Sequence, residues 1–191
     1  MKKVLLALVF LYMTTYSYAQ TVREYFVTEN PITFDDTQFY LGWSSNPIKG
    51  FFLHEYFPAG ETPEHFNKMF TVNIAETSMT AKDAAAGKAD ELTKRKETDK
   101  ICNFKVYDNG DDFIVDFLVS DMANGKLTTA EWNLHYYKDI VIDGKHYLQL
   151  AFFSQRAYDD DIIPFIKSLS EIRSEKILAL ANLGLVVKAL K

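Results

Sequence analysis

Residues 101–156 read ICNFKVYDNG DDFIVDFLVS DMANGKLTTA EWNLHYYKDI VIDGKHYLQL AFFSQR, and this stretch decides the fold. Three turn dipeptides cut it: Asn109-Gly110, Asn124-Gly125 and Asp143-Gly144. Each favours a two-residue hairpin loop with positive φ. Three such loops set four antiparallel strands in one register. Val106 then stands opposite Phe113, Tyr136 and Ala151. Phe104 meets Val115, Leu134 and Phe153, and Cys102 meets Phe117, Trp132 and Gln155. These rows come out largely apolar, which supports a four-stranded meander, because a slip of one residue moves a strand's whole apolar set to the other face. The middle turn is the weakest, since Asp121-Met122-Ala123 also suits a longer loop.

The opposite face carries the polar side chains. One row reads Asn103, Asp116, Asn133, Ser154. A second reads Ile101, Leu118, Glu131, Arg156, and a third Lys105, Ile114, His135, Phe152. Asp116, Glu131, Asn133, His135 and Arg156 are therefore expected to cluster as a ligand-binding set able to orient a small polar molecule. The same rows also read as an ordinary solvated sheet face with a Glu131–Arg156 cross-strand ion pair.

Outward from the meander, Ile32–Trp43, Phe51–Phe57 and the alternating Phe70, Val72, Ile74 read as strands. His54 and Glu55 must then point to opposite faces. Thr62-Pro63-Glu64 suggests a short turn of helix over Pro63–Lys68. Thr80 and Asp83 form a capping-box pair opening a helix over about 80–97, with a narrow stripe of Ala81, Ala84, Ala85, Ala89 and Leu92. Its end carries Lys94-Arg95-Lys96, the only basic run, where the helix dipole favours cations. Ile162, Phe165, Ile166, Leu169, Ile172 and Lys176/Ile177 mark a bulkier second helix over about 161–181, the main cover for the aromatic sheet face. The apolar tail Leu183–Leu190 is expected to add a short strand or to dock along an edge.

The expected fold class is α+β: an antiparallel sheet of about six to seven strands, including the 101–156 meander, packed by two main helices. Residues 1–19, with Lys2-Lys3, an apolar run from Val4 to Tyr12 and the exit Ser17-Tyr18-Ala19, have the layout of a cleaved signal peptide, leaving 20–191 as one domain. Losing the two leader lysines takes the formal charge from −5 to −7. That balance argues against nucleic acid and anionic membranes, which need clustered cations. The apolar run is too short for stable membrane insertion. Cys102 is the only cysteine, so no intramolecular disulfide is available, and it reads as a buried apolar residue.

No cofactor, metal site or catalytic residue is expected. His54, His65, His135 and His146 show neither HxH nor HExxH spacing. Asp159-Asp160-Asp161 lacks the glycine and distal glutamate of a calcium loop. No G-x-S-x-G or phosphate-binding loop is present.

Phe52-Leu53-His54-Glu55-Tyr56-Phe57-Pro58-Ala59-Gly60-Glu61, Glu131-Trp132-Asn133, Arg156-Ala157-Tyr158 and Asp160-Asp161-Ile162 resemble segments of uncharacterised secreted proteins of Gram-negative bacteria. The order of elements resembles the PsbP/Mog1-type sandwich. That resemblance implies a fold and non-enzymatic roles in larger assemblies, and it transfers no site. The expected function is a non-enzymatic periplasmic or secreted binding or accessory protein, inhibitor- or immunity-like, with a protein partner or a small polar ligand. The alternative is a small hydrolase or glycan-binding domain using the face around Asp116, Glu131, His135 and Arg156.

Overall fold

The computed structural model describes residues 22–185, 187 and 189–191; the expected leader lies outside them. The chain is α+β, with one curled antiparallel sheet of eight strands and two helices. In chain order the elements are β1 (Phe26–Val27), β2 (Ile32–Phe34), β3 (Thr37–Ile48), β4 (Phe51–Phe57), β5 (Lys68–Glu76), α1 (Ala81–Arg95), β6 (Asn103–Asn109), β7 (Asp112–Ala123), β8 (Lys126–Ile142), β9 (Lys145–Tyr158), α2 (Ile162–Ala181) and β10 (Ala189–Leu190). The sheet order is β2-β3-β4-β5-β9-β8-β7-β6, and β1 pairs with β10 in a separate ribbon. The sheet thus exceeds the six to seven strands expected.

Part of that excess arises where one strand was expected over Ile32–Trp43. Asp35 and Asp36 both adopt left-handed φ, 51° and 54°, and turn the chain between β2 and β3. Short polar side chains tolerate that conformation better than β-branched ones. The expected helical turn over Pro63–Lys68 is absent. Thr62 and His65 form a bridge with reciprocal backbone hydrogen bonds, and β5 already begins at Lys68.

The meander forms, with two corrections to its register. Asn109 pairs with Asp112, so the first loop is Gly110-Asp111 and Phe104 faces Phe117 rather than Val115. Gly110 supplies the positive φ, 74°, at the first loop position, the requirement of a type II′ turn. This shift of two leaves the faces unchanged. The second correction does not. The Asn124-Gly125 turn sits where expected, pairing Ala123 with Lys126, but Thr128 is an extra residue on β8 and Asp121 pairs with Thr129. This bulge slips β8 by one against β7. The β8–β9 register is as expected, with Leu134 opposite Phe153 and Glu131 opposite Arg156.

The inner face carries Phe70, Val72, Ile74, Ile114, Leu118, Trp132, Leu134, Ala151 and Phe153, all 4% exposed or less. Ile162, Phe165, Leu169, Ile177 and Leu180 of α2 pack against it. The outer face carries Val115, Phe117, Tyr137 and Leu148, covered by Ala81, Ala85 and Leu92 of α1. The small stripe suits close approach to a sheet whose own side chains are large. Thr80 and Asp83 complete the capping box. Cys102 is buried there, its thiol donating to the Leu92 carbonyl, and burial raises its pKa.

Candidate functional site

The outer side of β8 and β9 holds a continuous polar network. Odd-numbered residues of β8 face outward, opposite the even-numbered residues of β9. The Ser154 hydroxyl donates to Asn133 Oδ1 at 2.7 Å. Asn133 Nδ2 donates to Glu131 Oε1 at 3.0 Å, and Arg156 Nε donates to Glu131 Oε2 at 2.7 Å. The Arg156 guanidinium lies 4.1 Å from the centroid of the Phe66 ring. Phe66 in turn packs on Phe57, with ring centroids 5.8 Å apart. Phe57 fills the space over Gly42, where a Cβ would come within 2.8 Å of the ring. Glycine at 42 is what allows that close approach.

His135 belongs to the same face but not to this network. Its ring stacks on Phe152 at 3.6 Å and meets Phe117 edge-on at 4.7 Å. Its Nδ1 lies 3.2 Å from the Tyr137 hydroxyl. Burial, helped by the Lys88 charge, holds its pKa well below the usual histidine range. The imidazole is therefore neutral at physiological pH and behaves as a packed ring.

Asp116 is on the other face, because the bulge turns β8 against β7. It is 1% exposed and accepts from Trp132 Nε1 at 2.7 Å. Arg173 Nε donates to both carboxylate oxygens, at 2.7 and 2.8 Å. Asp116 thus ties α2 to the inner sheet face. Of the five expected neighbours, Glu131, Asn133 and Arg156 join, His135 lies beside them, and Asp116 is separated.

Sequence reasoning did not reach three further residues of the outer face. Phe66 was hidden by the mistaken helical turn. Thr71 and Asn73 are each 7% exposed and stand opposite Glu55 and Leu53 of β4. Glu55 is half-buried, and desolvation raises its carboxyl above the usual range. The alternation in Phe51–Phe57 gave the signal for Glu55 by setting it opposite to His54. His54 is fully buried on the inner side. The Tyr25 amide donates to its Nε2 at 2.9 Å, so the neutral ring carries its proton on Nδ1, 3.0 Å from the Tyr56 hydroxyl.

Among the described residues no hydrogen bond pairs His135 with an acid, and Ser154 donates to an amide rather than to a base. Among the described residues no group of three or more His, Cys, Asp and Glu side chains could hold a metal ion, and no helix is long and apolar enough to cross a membrane. Glu131, Asn133, Ser154 and Arg156 bond to one another beside fixed rings on the outer sheet face. The site presents shape and charge.

Fold and site together define an α+β protein whose curled sheet holds one helix inside and carries a polar-aromatic track outside. The chain belongs to an uncharacterised protein family, whose model matches residues 26–185. No curated protein matches it.

Proposed function

We propose that this is an exported, non-enzymatic binding protein that engages a protein partner through the outer face of β3, β4, β5 and β9. One observation carries the reading. α1 packs over β6, β7 and β8, and among the described residues no helix covers β3, β4 and β5 to a comparable extent on that side. The uncovered half displays half-buried Trp43, Phe51, Leu53 and Met69 beside the Arg156–Glu131–Asn133 network. Aromatic and arginine side chains held rigidly around small polar ones are what interface centres are made of.

The leader-like residues 1–19 support export. The resemblance to PsbP/Mog1-type sandwiches and to secreted proteins of Gram-negative bacteria supports an accessory or immunity-like role. The hydrolase alternative calls for His135 and an acid within hydrogen-bond reach; Asp116 instead binds Arg173, and Glu131 binds Arg156.

Site-specific photo-crosslinking tests the proposal. A photoreactive residue at Leu53 or Met69, both partly exposed on that half, is expected to capture one defined protein from envelope extract. The same residue at Ile163 or Leu178, exposed on α2, is expected to capture none. Repeated absence of a defined product from both outer positions, or equal capture from α2, would overturn it.

A further inference from the structure

The filled part of the outer face shows how this surface handles a cation. Arg156 is held between a carboxylate, Glu131, and an aromatic ring, Phe66. Two strands away stands a second outer-face carboxylate, Glu55, with no ion pair among the described residues. Glu55 stands directly opposite Trp43 on β3 and Thr71 on β5. Its same-face neighbours along β4 are Leu53 and Phe57. Burial raises the Glu55 pKa. An uncompensated carboxylate among a tryptophan, a leucine, a phenylalanine and a threonine is an electrostatic cost to the folded chain.

A second unmet acceptor sits beside it. Asn73 is 93% buried by its 7% exposure, and its Oδ1 has no hydrogen-bond partner among the described residues. Leu53 stands opposite Asn73, and Glu55 opposite Thr71, so Asn73 is diagonal to Glu55 on the same face. Such diagonal neighbours lie within reach of long side chains. Buried oxygens left without donors are uncommon and call for a partner.

We propose that Glu55, Trp43 and Asn73 form a docking point for a basic side chain of the protein partner, an arginine in preference to a lysine. The inference rests on the binding-protein reading and names the chemistry of its partner. A guanidinium can donate twice to the Glu55 carboxylate while lying against the indole of Trp43, and it sheds water more readily than an ammonium. The Glu131–Arg156–Phe66 arrangement is the same recognition made within the chain. The acidic balance of the chain, −5 before and −7 after loss of the two leader lysines, draws a basic partner to the surface by long-range attraction. The cation's arrival would relieve the desolvated charge on Glu55, so this contact strengthens only on binding.

The test uses 15N-labelled protein and N-acetyl-arginine methylamide as probe, with the neutral isostere N-acetyl-citrulline methylamide as control. The chain has two tryptophans, so the Trp43 indole signal is readily assigned; the Asn73 side-chain amide is the second reporter. The arginine probe is expected to shift both signals saturably, and the citrulline probe to leave them in place. Glu55→Gln should weaken the arginine probe about tenfold while keeping the far-UV CD spectrum, since one charge-assisted bidentate contact is lost. Equal shifts with citrulline, or an unchanged affinity in Glu55→Gln, would overturn the inference. The two proposals fail separately. A crosslinked partner that binds Glu55→Gln as tightly as wild type sinks the docking point and leaves the binding reading standing. A saturable arginine probe with no crosslinked partner does the reverse.

Discussion

His54 shows how much one side chain can commit a fold to a pH range. Its ring is fully buried, stacks on Phe26 at 3.8 Å and receives the Tyr25 amide on Nε2. Burial lowers its pKa to about 4, against an ordinary 6.5. A depressed histidine pKa means that the unfolded chain binds the proton first. Its stabilisation is therefore complete above pH 6.5 and drains away as pH falls towards 4. Across that window the loss is about 3 kcal/mol, from roughly 1.4 kcal/mol per unit. Urea midpoints measured between pH 7 and pH 4 should fall steeply for the wild type and less steeply for His54→Gln. Equal slopes would show that the ring is not the titrating group. His146 acts in the opposite sense. Bonds to the Thr77 carbonyl and Asp139 raise its pKa, so its contribution is present at low pH and lost as pH rises through the raised value. That His54 and Glu55 face opposite ways was legible from alternation alone. That His54 accepts a bond from an amide 29 residues away was not, because nothing local in the sequence encodes that contact.

At the scale of elements, turn chemistry carried the reading a long way. Asn124-Gly125 and Asp143-Gly144 turn where the sequence places them, with positive φ at all four residues. The β8–β9 register followed pair by pair. Both helices were legible from apolar spacing, and the capping box of α1 is present as read. One residue defeated the rest. Thr128 makes the β8 bulge, and a bulge leaves no compositional mark in a run such as Lys-Leu-Thr-Thr-Ala. It flips the side chains of β8 from Thr129 onward relative to β7, so a candidate cluster assembled across those strands had to lose a member, and that member is Asp116. The flip also explains the otherwise awkward mixed rows. Trp132 and Leu134 join Ile114 and Leu118 inside, while Phe117 and Val115 lie beneath α1. Deleting Thr128 should therefore be far worse than an ordinary strand deletion. The shortened β8 would have to choose between burying Trp132 and keeping its ladder with β7. We expect loss of the near-UV CD signal of buried Trp132 and of cooperative urea unfolding. A deletion variant that unfolds cooperatively, with Trp132 still shielded, would show that the bulge does not set the face.

For the molecule as a whole, the curled sheet leaves its two faces unequal. The inner one is filled by α2, by the β2–β3 hairpin, which Asp35 ties to Lys176, and by Phe26, Leu185 and Val187 from the two ends of the chain. The outer one is half covered. A narrow alanine stripe cannot span eight strands, and the composition of α1 thus already implied that some of the sheet would remain open. Which half stays open depended on register and could not be read before it.

The β1–β10 ribbon has a further consequence. Phe26 stands opposite Leu190, the Lys191 amide donates to the Tyr25 carbonyl, and Lys191 pairs with Glu24. Start and finish of the described chain are thus bonded neighbours, and in topology the described residues are nearly a ring with one nick. Where the nick lies should matter little to the fold. A circular permutant joining residue 191 to residue 22 through a short glycine-serine linker, and opened at the exposed Asp143-Gly144 turn, is expected to fold with a wild-type near-UV spectrum. Failure of that permutant to fold would mean that the order in which β8 and β9 leave the ribosome matters as much as their pairing. Success would place both new ends at the far tip of the β8–β9 hairpin and free the ribbon as one continuous, uninterrupted strand pair.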